Sequence, residues 1–350
     1  YRAVGEVVDV AALQPRWFVS GALIHHSGKF SRLASPLENL LVAIAGDALP
    51  FGDKLRLARL GAEVLMSSDL ALLKACASTN DLSTREFLLR RGFSDEFLSR
   101  FAQPFFGGVL LDNELSTSSA LFRYYLKKFA TGRAWIPAGG IQALPESIAA
   151  QLSPQKIRRN TKVSVIDGDR VILESGEILP FSRLVLALDE SSLHQLLHQP
   201  PPPAPRGVVV VYFKTKISLY DRPCLVLPAG AHRLVRHFVQ ITNIAPEFAP
   251  AGWHLVSASI LNFEGLNRDE LVSRATKEIA AIFPHARESL IPLETLFVPN
   301  AVPDQPPGFA SKPKPLLPNG VLACGDWKNG ASIQAAIQSG LEAARVVLGG

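Results

Sequence analysis

The sequence has few of the residues that build metal sites or covalent cross-links. It holds only three cysteines, Cys76, Cys224 and Cys324, which lie far apart and each in an apolar context. Without paired spacing they predict neither a disulfide framework nor a zinc site, and buried free thiols are the expectation. Short apolar runs that alternate with turn residues over 1–33 predict two strands around a turn at Ser27 and Gly28. The adjacent His25 and His26 would point to opposite faces of a strand, so they make a poor metal pair.

Long apolar runs and concentrated charge are also missing. No stretch reaches the roughly eighteen apolar residues of a transmembrane span, so none is predicted. The net charge is +5, but the basic residues are scattered, so a nucleic-acid partner is not expected. No signal-like apolar segment is found near Tyr1, and a cytoplasmic location is favoured.

The composition and the apolar pattern predict a globular protein with a helical layer in its first half. Of the 350 residues, 47% are hydrophobic and 19% charged, which suffices for a sizeable core. Thr84 and Ser94 are candidate N-caps, and Gly92 and Gly132 stand where a left-handed C-terminal residue is expected. Apolar residues three and four apart predict helices over 36–45, 51–67, 84–91, 94–102 and 118–130.

An aromatic, glycine-broken stretch over 101–112 lies between two of these helices and is predicted to be a loop. Phe105 and Phe106 are candidates for the wall of an apolar substrate pocket, and Gly107 and Gly108 would let the backbone approach a ligand. Packing of the phenylalanines in the core is an equally good interpretation.

The second half of the chain is predicted to be rich in strands. Strands joined by tight turns are expected over 156–166, 170–173 and 184–188, and the prolines 200–203 then separate two lobes. A single helix over 268–283, begun by Asn267, is predicted among the later strands. A mostly antiparallel sheet is expected from the apolar runs 208–213, 224–227, 234–241, 254–261 and 290–298.

The last thirty residues predict a strand, a turn and a helix. The apolar run 321–324 ends at Gly325 and Asp326, and Ser332 is a good N-cap for the helix that follows. A glycine lets the backbone approach a ligand, and an aspartate can accept hydrogen bonds from ligand hydroxyl groups. The free N–H groups of the helix start favour an electron-rich ligand, so the segment suits a nucleotide-like cofactor. A plain strand-turn-helix with a structural aspartate is the alternative.

The pattern Gly-Asp, turn, Gly-x-Ser-Ile-Gln-x-Ala-Ile-x-Ser-Gly resembles the C-terminal flavin motif of the flavin-containing amine oxidase, protoporphyrinogen oxidase and phytoene desaturase superfamily. The segment Pro-x-Gly-Gly-Ile-x-x-Leu-Pro over 137–145 also resembles one of its segments. The resemblance implies an α/β fold of mixed α+β character, in which an incomplete FAD-binding Rossmann-like domain is interleaved with a substrate domain of antiparallel sheet plus helices. The FAD-binding parts would be 137–200 and 319–350, and the substrate parts 1–136 and 206–318.

The same resemblance implies residues for the FAD site. Asp326, after Gly325, would hold the ribityl and pyrophosphate region of FAD. The backbone of Val163 would meet the adenine, and Ala187 would lie near the pyrophosphate. The pyrimidine edge of the isoalloxazine would face the backbone of Ser332, Ile333 and Gln334. A meander ending in a buried strand needs no ligand, and this remains the alternative for Val163 and Ala187.

The sequence contains no Gly-x-Gly-x-x-Gly, the motif with which proteins of this superfamily begin. That motif holds a diphosphate at a helix start, and a nearby acidic residue holds the ribose. Tyr1 resembles the region shortly after it, so the expectation is a fragment that lacks a first βαβ unit.

The resemblance implies an FAD-dependent oxidoreductase that transfers a hydride equivalent from a small hydrophobic organic substrate to flavin N5. No catalytic residue and no oligomeric state is predicted, since the cofactor carries the chemistry. The alternative is a flavin-free binding protein on the same architecture, similar to the Rab GDP-dissociation inhibitors. A dehydrogenase that uses only a nicotinamide cofactor is least favoured, because it needs the glycine motif that is missing.

Overall fold

A seven-stranded sheet forms the centre of the structure, a computed structural model that describes residues 2–34, 49–230, 233–311, 317, 320–328 and 330–349. Its strands are β2 (Gly21–His26), β3 (Lys29–Ala34), β9 (Arg206–Thr215), β10 (Leu225–Pro228), β11 (Val235–Gln240), β12 (His254–Ile260) and β13 (Ile291–Val302). They lie in the order β13-β9-β12-β11-β10-β2-β3. All neighbours are antiparallel except β10 and β2, so the predicted antiparallel sheet is confirmed.

Strands β2 and β3 form the predicted hairpin, with Ser27 and Gly28 both at positive φ in its turn.

One face of the sheet is covered by a helix, Arg268–Ile282, which begins after the N-cap Asn267 as predicted. Asn267 and Glu270 form a capping box there. A core of buried aliphatic and aromatic side chains lies between this helix and the sheet, including Phe213, Phe238, Val256, Leu271 and Ile279.

The helical layer packs on the other face of the sheet. Its helices are α2 (Phe51–Met66), α3 (Asp69–Ala75), α4 (Thr84–Arg90), α5 (Asp95–Phe97), α6 (Gly108–Leu110) and α7 (Ser119–Thr131), with α1 (Arg2–Val7) preceding them near the N-terminus. The later helices are α8 (Ala143–Ala149), α9 (Glu190–Leu196), α10 (the Arg268–Ile282 helix above) and α11 (Ile333–Leu348). The helix predicted over 36–45 lies outside the described residues. None of the described helices has the length and apolar character to cross a bilayer.

The stretch predicted as an aromatic loop is helical instead. A π-helix, Leu98–Gly107, joins α5 to α6 and contains Pro104. The wider π-turn accommodates a proline, which lacks an N–H, and the rings of phenylalanines four apart contact one another. Phe97 meets Phe101 at a ring-centroid distance of 5.6 Å, and Phe101 meets Phe105 at 5.5 Å.

Two helix-end predictions were also wrong: Ser83 rather than Thr84 caps α4, and Gly132 is extended. Ser94 and Gly92 behave as predicted.

Three smaller sheets complete the described fold. Strands β8 (Leu184–Ala187) and β14 (Val321–Cys324) pair in parallel, and β1 (Pro15–Trp17) pairs with β4 (Trp135–Pro137). The third sheet holds β5 (Val163–Asp167), β6 (Arg170–Leu173) and β7 (Ile178–Pro180). The prediction of 184–188 as the third strand of the meander was wrong, because β7 takes that place and 184–187 pairs in parallel with β14. Helix α11 packs on β14, and α1, a helix where strands were expected, packs on α11. The predicted mixed α/β fold class is confirmed.

Candidate cofactor site

The strand-turn-helix at the C-terminus forms as predicted. The Ser332 hydroxyl accepts a hydrogen bond from the Ala335 N–H at 3.1 Å, so Ser332 is the N-cap of α11. The N–H groups at the first positions of a helix have no intrahelical acceptor, which leaves those of Ile333 and Gln334 directed out of the helix start. This end of α11 carries the positive end of the helix dipole and favours an electron-rich ligand.

Gly325 is held in place at the end of β14. Its N–H donates to the Ser339 hydroxyl at 3.0 Å, and that hydroxyl lies 3.0 Å from the Gly325 carbonyl oxygen, to which it donates. A Cβ at Gly325 would stand 2.7 Å from the Leu188 carbonyl oxygen, and backbone cannot yield as a flexible side chain can. The Trp327 indole N–H donates to the same Leu188 oxygen at 3.1 Å. The position therefore requires glycine.

Asp326 is half-buried beside this glycine. Burial raises the pKa of the Asp326 carboxyl, the Asp189 carboxylate adds to the rise, and the Trp327 backbone N–H opposes it. In the described part of the chain, no lysine or arginine side chain pairs with Asp326. A desolvated carboxylate with so few donors gains stability from hydroxyl groups of a ligand.

The structure brings several of the predicted FAD residues together. Ala187 is exposed and lies opposite Cys324 in the parallel pair, next to Gly325. Val163 lies in a different sheet, the three-stranded one, opposite Leu173. The roles assigned to Ala187 and Val163 stay predictions.

The turn before α11 is fixed by two residues that the sequence analysis did not identify. The Gln305 side-chain oxygen accepts from the Ala331 N–H at 2.9 Å, and the Tyr125 hydroxyl donates to the Ala331 carbonyl at 3.0 Å. Gln305 stands in a proline-rich connection and Tyr125 in the middle of a helix, so no periodic signal marks them. Only the tertiary fold brings them to this turn.

The predicted pocket residues lie in the helical layer. Phe106 is 1% exposed and packs against Phe101 and Phe122, whereas Phe105 is half-buried and stacks on Phe101. The location of Phe106 agrees with the alternative interpretation, packing in the core. The pocket role of Phe105, Phe106, Gly107 and Gly108 stays a prediction.

Gly108 lies directly against the imidazole of His237 on β11. A Cβ at Gly108 would stand 2.2 Å from the His237 Nδ1 and 2.8 Å from its Cε1. The Nδ1 is buried and has no hydrogen-bond partner among the residues that the structure describes. Burial lowers the pKa of His237 to about 4, so the imidazole is neutral at pH 7.

Substitution of Gly108 by alanine should therefore overpack this contact. We expect Gly108→Ala to lower the free energy of unfolding by about 1–3 kcal/mol, because the buried His237 ring would have to shift to make room for the new methyl group. Chemical denaturation measures the loss. The control is Gly61→Ala, since a Cβ at Gly61 meets nothing within 4 Å and reports the gain in helix propensity alone. In a His237→Ala background the cost of Gly108→Ala should largely vanish, and an equal cost in both backgrounds would contradict the contact.

The described residues hold no group of three or more histidine, cysteine, aspartate or glutamate side chains arranged to bind a metal ion. All three cysteines are buried and free, as predicted. Burial raises the pKa of Cys76 and of Cys224 to about 11, so both thiols are protonated at neutral pH. The features of the site are the half-buried carboxylate, the glycine beside it and the donors of the helix start.

Solved structures share this fold at low sequence identity. An oxidoreductase from Methanosarcina mazei has a TM-score of 0.71 and 16% identity, covering 95% of this chain and 81% of that chain. Reduced UDP-galactopyranose mutase has a TM-score of 0.64 and 13% identity, covering 99% and 81%. A Rab GDI from Plasmodium falciparum has a TM-score of 0.54 and 11% identity, covering 99% and 78%. At these identities the likeness shows the fold alone.

The family match extends over almost the whole chain. No curated protein matches the sequence significantly. The family model described as flavin containing amine oxidoreductase, however, matches residues 11–348, which include the C-terminal strand-turn-helix. The chain therefore belongs to the flavin containing amine oxidoreductase family and, by that membership, is a flavin-dependent oxidoreductase.

Proposed function

We propose that the chain binds FAD and transfers a hydride equivalent from a C–H bond of a small hydrophobic organic substrate to flavin N5. The observation that carries the proposal is the half-buried Asp326 carboxylate, which has no basic partner in the described structure and lies beside Gly325. An uncharged ligand portion rich in hydroxyl groups, such as the ribityl chain, supplies the donors that this carboxylate needs.

The residues of the site fit a flavin in three respects. Asp326 would accept hydrogen bonds from ribityl hydroxyl groups, and Gly325 would allow close approach of the backbone. The first N–H groups of α11, from Ile333 and Gln334, would face the electron-rich pyrimidine edge of the ring. When bound, the isoalloxazine supplies the electron-accepting chemistry, and the protein supplies binding and orientation.

A hydrophobic substrate is supported by the composition of the layer that meets the turn before α11. A Cβ at Gly330 would lie 3.5 Å from the Cδ1 of Leu121, on α7. Leu121 belongs to the same core cluster as Phe106, which packs against Phe122 and Phe129. Since these side chains pack in the core, they would form the apolar backing of the site, which would exclude water from the reacting C–H bond.

Flavin binding by the purified chain tests the proposal. We expect that incubation with FAD, followed by gel filtration, gives a protein fraction with the visible absorption bands of oxidised flavin. Anaerobic addition of a substrate should bleach these bands. Absence of flavin bands, even after incubation with excess FAD, would overturn the proposal. The flavin-free binding protein would then be the better interpretation.

A further inference from the structure

Gln305 carries a buried hydrogen-bond donor with no acceptor among the residues that the structure describes. Its side chain is 3% exposed, and its Nε2 atom is among the buried polar atoms that have no partner. A buried amide N–H without an acceptor lowers the stability of the fold by about 1–3 kcal/mol. Such a group in a native fold needs an explanation, and a bound ligand is one that can be tested.

The orientation of the Gln305 side chain is fixed by its neighbours. Its backbone carbonyl accepts the Ser118 N–H at 2.9 Å, at the N-cap of α7. Its side-chain oxygen accepts the Ala331 N–H at 2.9 Å. Because a backbone N–H can only donate, the side-chain atom that faces Ala331 must be the oxygen, and the NH₂ group must be the other end. The dimensions of an amide keep Nε2 within about 5 Å of the Ala331 nitrogen.

The donor therefore lies beside the turn that leads into α11. Ala331 stands between Gly330 and the N-cap Ser332, and Tyr125 holds its carbonyl from the other side. Gly330 has a φ of 113°, a conformation that favours glycine. The Nε2 group of Gln305 thus adds a side-chain donor to the backbone donors of the helix start. A ligand at this turn must present several acceptors.

We infer that the Nε2–H of Gln305 donates a hydrogen bond to an acceptor atom of the flavin ring, so that Gln305 binds the ring and raises its electron affinity. This inference rests on the proposed function. The ring offers oxygen and nitrogen acceptors, and it becomes more negative on reduction. A donor to such an acceptor stabilises the reduced form more than the oxidised form.

Two substitutions of Gln305 separate its donor from its acceptor. Gln305→Glu keeps an oxygen for the Ala331 N–H and removes the NH₂ group, whereas Gln305→Met removes both. We expect both variants to weaken FAD binding about threefold to tenfold in a fluorescence titration, which is the loss of one hydrogen bond. Both should shift the midpoint potential of the bound flavin to more negative values.

The pH dependence of Gln305→Glu distinguishes loss of the donor from the added charge. Protonation of the introduced carboxyl restores an O–H donor and removes the charge, so the difference in potential from the wild type should shrink as the pH falls. The control is Gln155→Glu, the same amide-to-acid change at an exposed position. Its midpoint potential should stay at the wild-type value.

Each other result overturns the inference. If Gln305→Glu matches the wild type and only Gln305→Met is impaired, Gln305 acts solely through Ala331. If the potential is unchanged and only the KM for substrate rises, the donor serves the substrate. If the wild type binds FAD and both variants match it, this inference fails and the proposed function stands. If the wild type binds no FAD, both fail together.

Discussion

Arg206→Met should lower the free energy of unfolding by about 3 kcal/mol, because it removes the partner of a buried carboxylate. Asp112 is 3% exposed, and its Oδ1 lies 2.7 Å from the Arg206 Nη1. The same guanidinium donates through Nε at 2.9 Å, and through Nη2 at 2.6 Å, to Asp304. Carboxylates on both sides raise the pKa of Arg206 against the opposing effect of burial, so the charge is retained.

The expected cost lies at the lower end of the range for breaking a buried ion pair, which is about 3–5 kcal/mol. Asp112 keeps other donors in the variant, since the Thr117 N–H and hydroxyl both lie 2.7 Å from its Oδ2 and the Ser116 hydroxyl lies 3.3 Å from its Oδ1. The shift of the denaturant midpoint measures the effect. Arg206→Lys retains the charge but loses the planar guanidinium, so it should cost less than Arg206→Met.

A second substitution shows whether the unpaired carboxylate is the cause. In Asp112→Asn/Arg206→Met the neutral amide still accepts from Thr117, and no charge remains without a partner at that position. The double variant should therefore be more stable than Arg206→Met alone. Equal or lower stability of the double variant would contradict the explanation. In that case the destabilisation by Arg206→Met would come from lost packing of the arginine's aliphatic stem or from loss of the contact with Asp304.

The ion cluster of Arg206, Asp112 and Asp304 also connects segments that adjoin the candidate site. Asp304 precedes Gln305 in the chain, and Asp112 follows the π-helix and α6, which pack on the sheet. Arg206 joins these two segments at the start of β9. We therefore expect substitutions in the cluster to loosen the position of Gln305.

Local signals predicted the parts of the fold that depend on neighbouring residues. The N-caps Ser94, Asn267 and Ser332 and the turn at Ser27 and Gly28 follow from side-chain and backbone chemistry within a few residues, and the structure confirms them. Such features need no tertiary information, which is why one sequence sufficed.

The buried positions of α11 differ from those that its apolar spacing predicts. Its apolar residues recur at helical spacing, yet Ile333 is 37% and Leu348 is 84% exposed. The buried positions include Gln334 and Ser339, because Gln334 accepts the Ala3 N–H and Ser339 bonds to Gly325. Polar side chains that bridge distant segments replace the apolar face. Periodicity alone does not show this.

Polar contacts between residues far apart in the chain could not be predicted either, because a local pattern does not report on them. Arg206 and Asp304 are separated by 98 residues, and Tyr125 and Ala331 by 206. No local pattern links residues at such distances. The resemblance of the C-terminal segment to a flavin motif was visible because the pattern is local, whereas the residues that hold its turn come from the helical layer and from the connection after β13.

Asp326→Ala should weaken FAD binding about 10-fold to 100-fold. Hydrogen bonds that involve a charged group are worth about 1.5–3 kcal/mol, and each 1.4 kcal/mol is a factor of ten in affinity. Alanine removes every acceptor from this side chain. Asparagine keeps one oxygen acceptor without the charge, so Asp326→Asn should lose less affinity. Fluorescence titration with FAD measures both constants.

Asp189→Asn is the matched control for a change of charge near the site. The Asp189 carboxylate is close enough to raise the pKa of Asp326, yet it serves as the N-cap of α9 by accepting the Ser192 N–H at 2.9 Å. Asparagine is an equally good N-cap, so the fold should be unaffected. If negative charge in general governed the affinity, Asp189→Asn would change it as Asp326→Asn does. Because direct hydrogen bonds to Asp326 are the proposed cause, we expect FAD affinity to fall in the Asp326 variants and to stay at the wild-type value in Asp189→Asn.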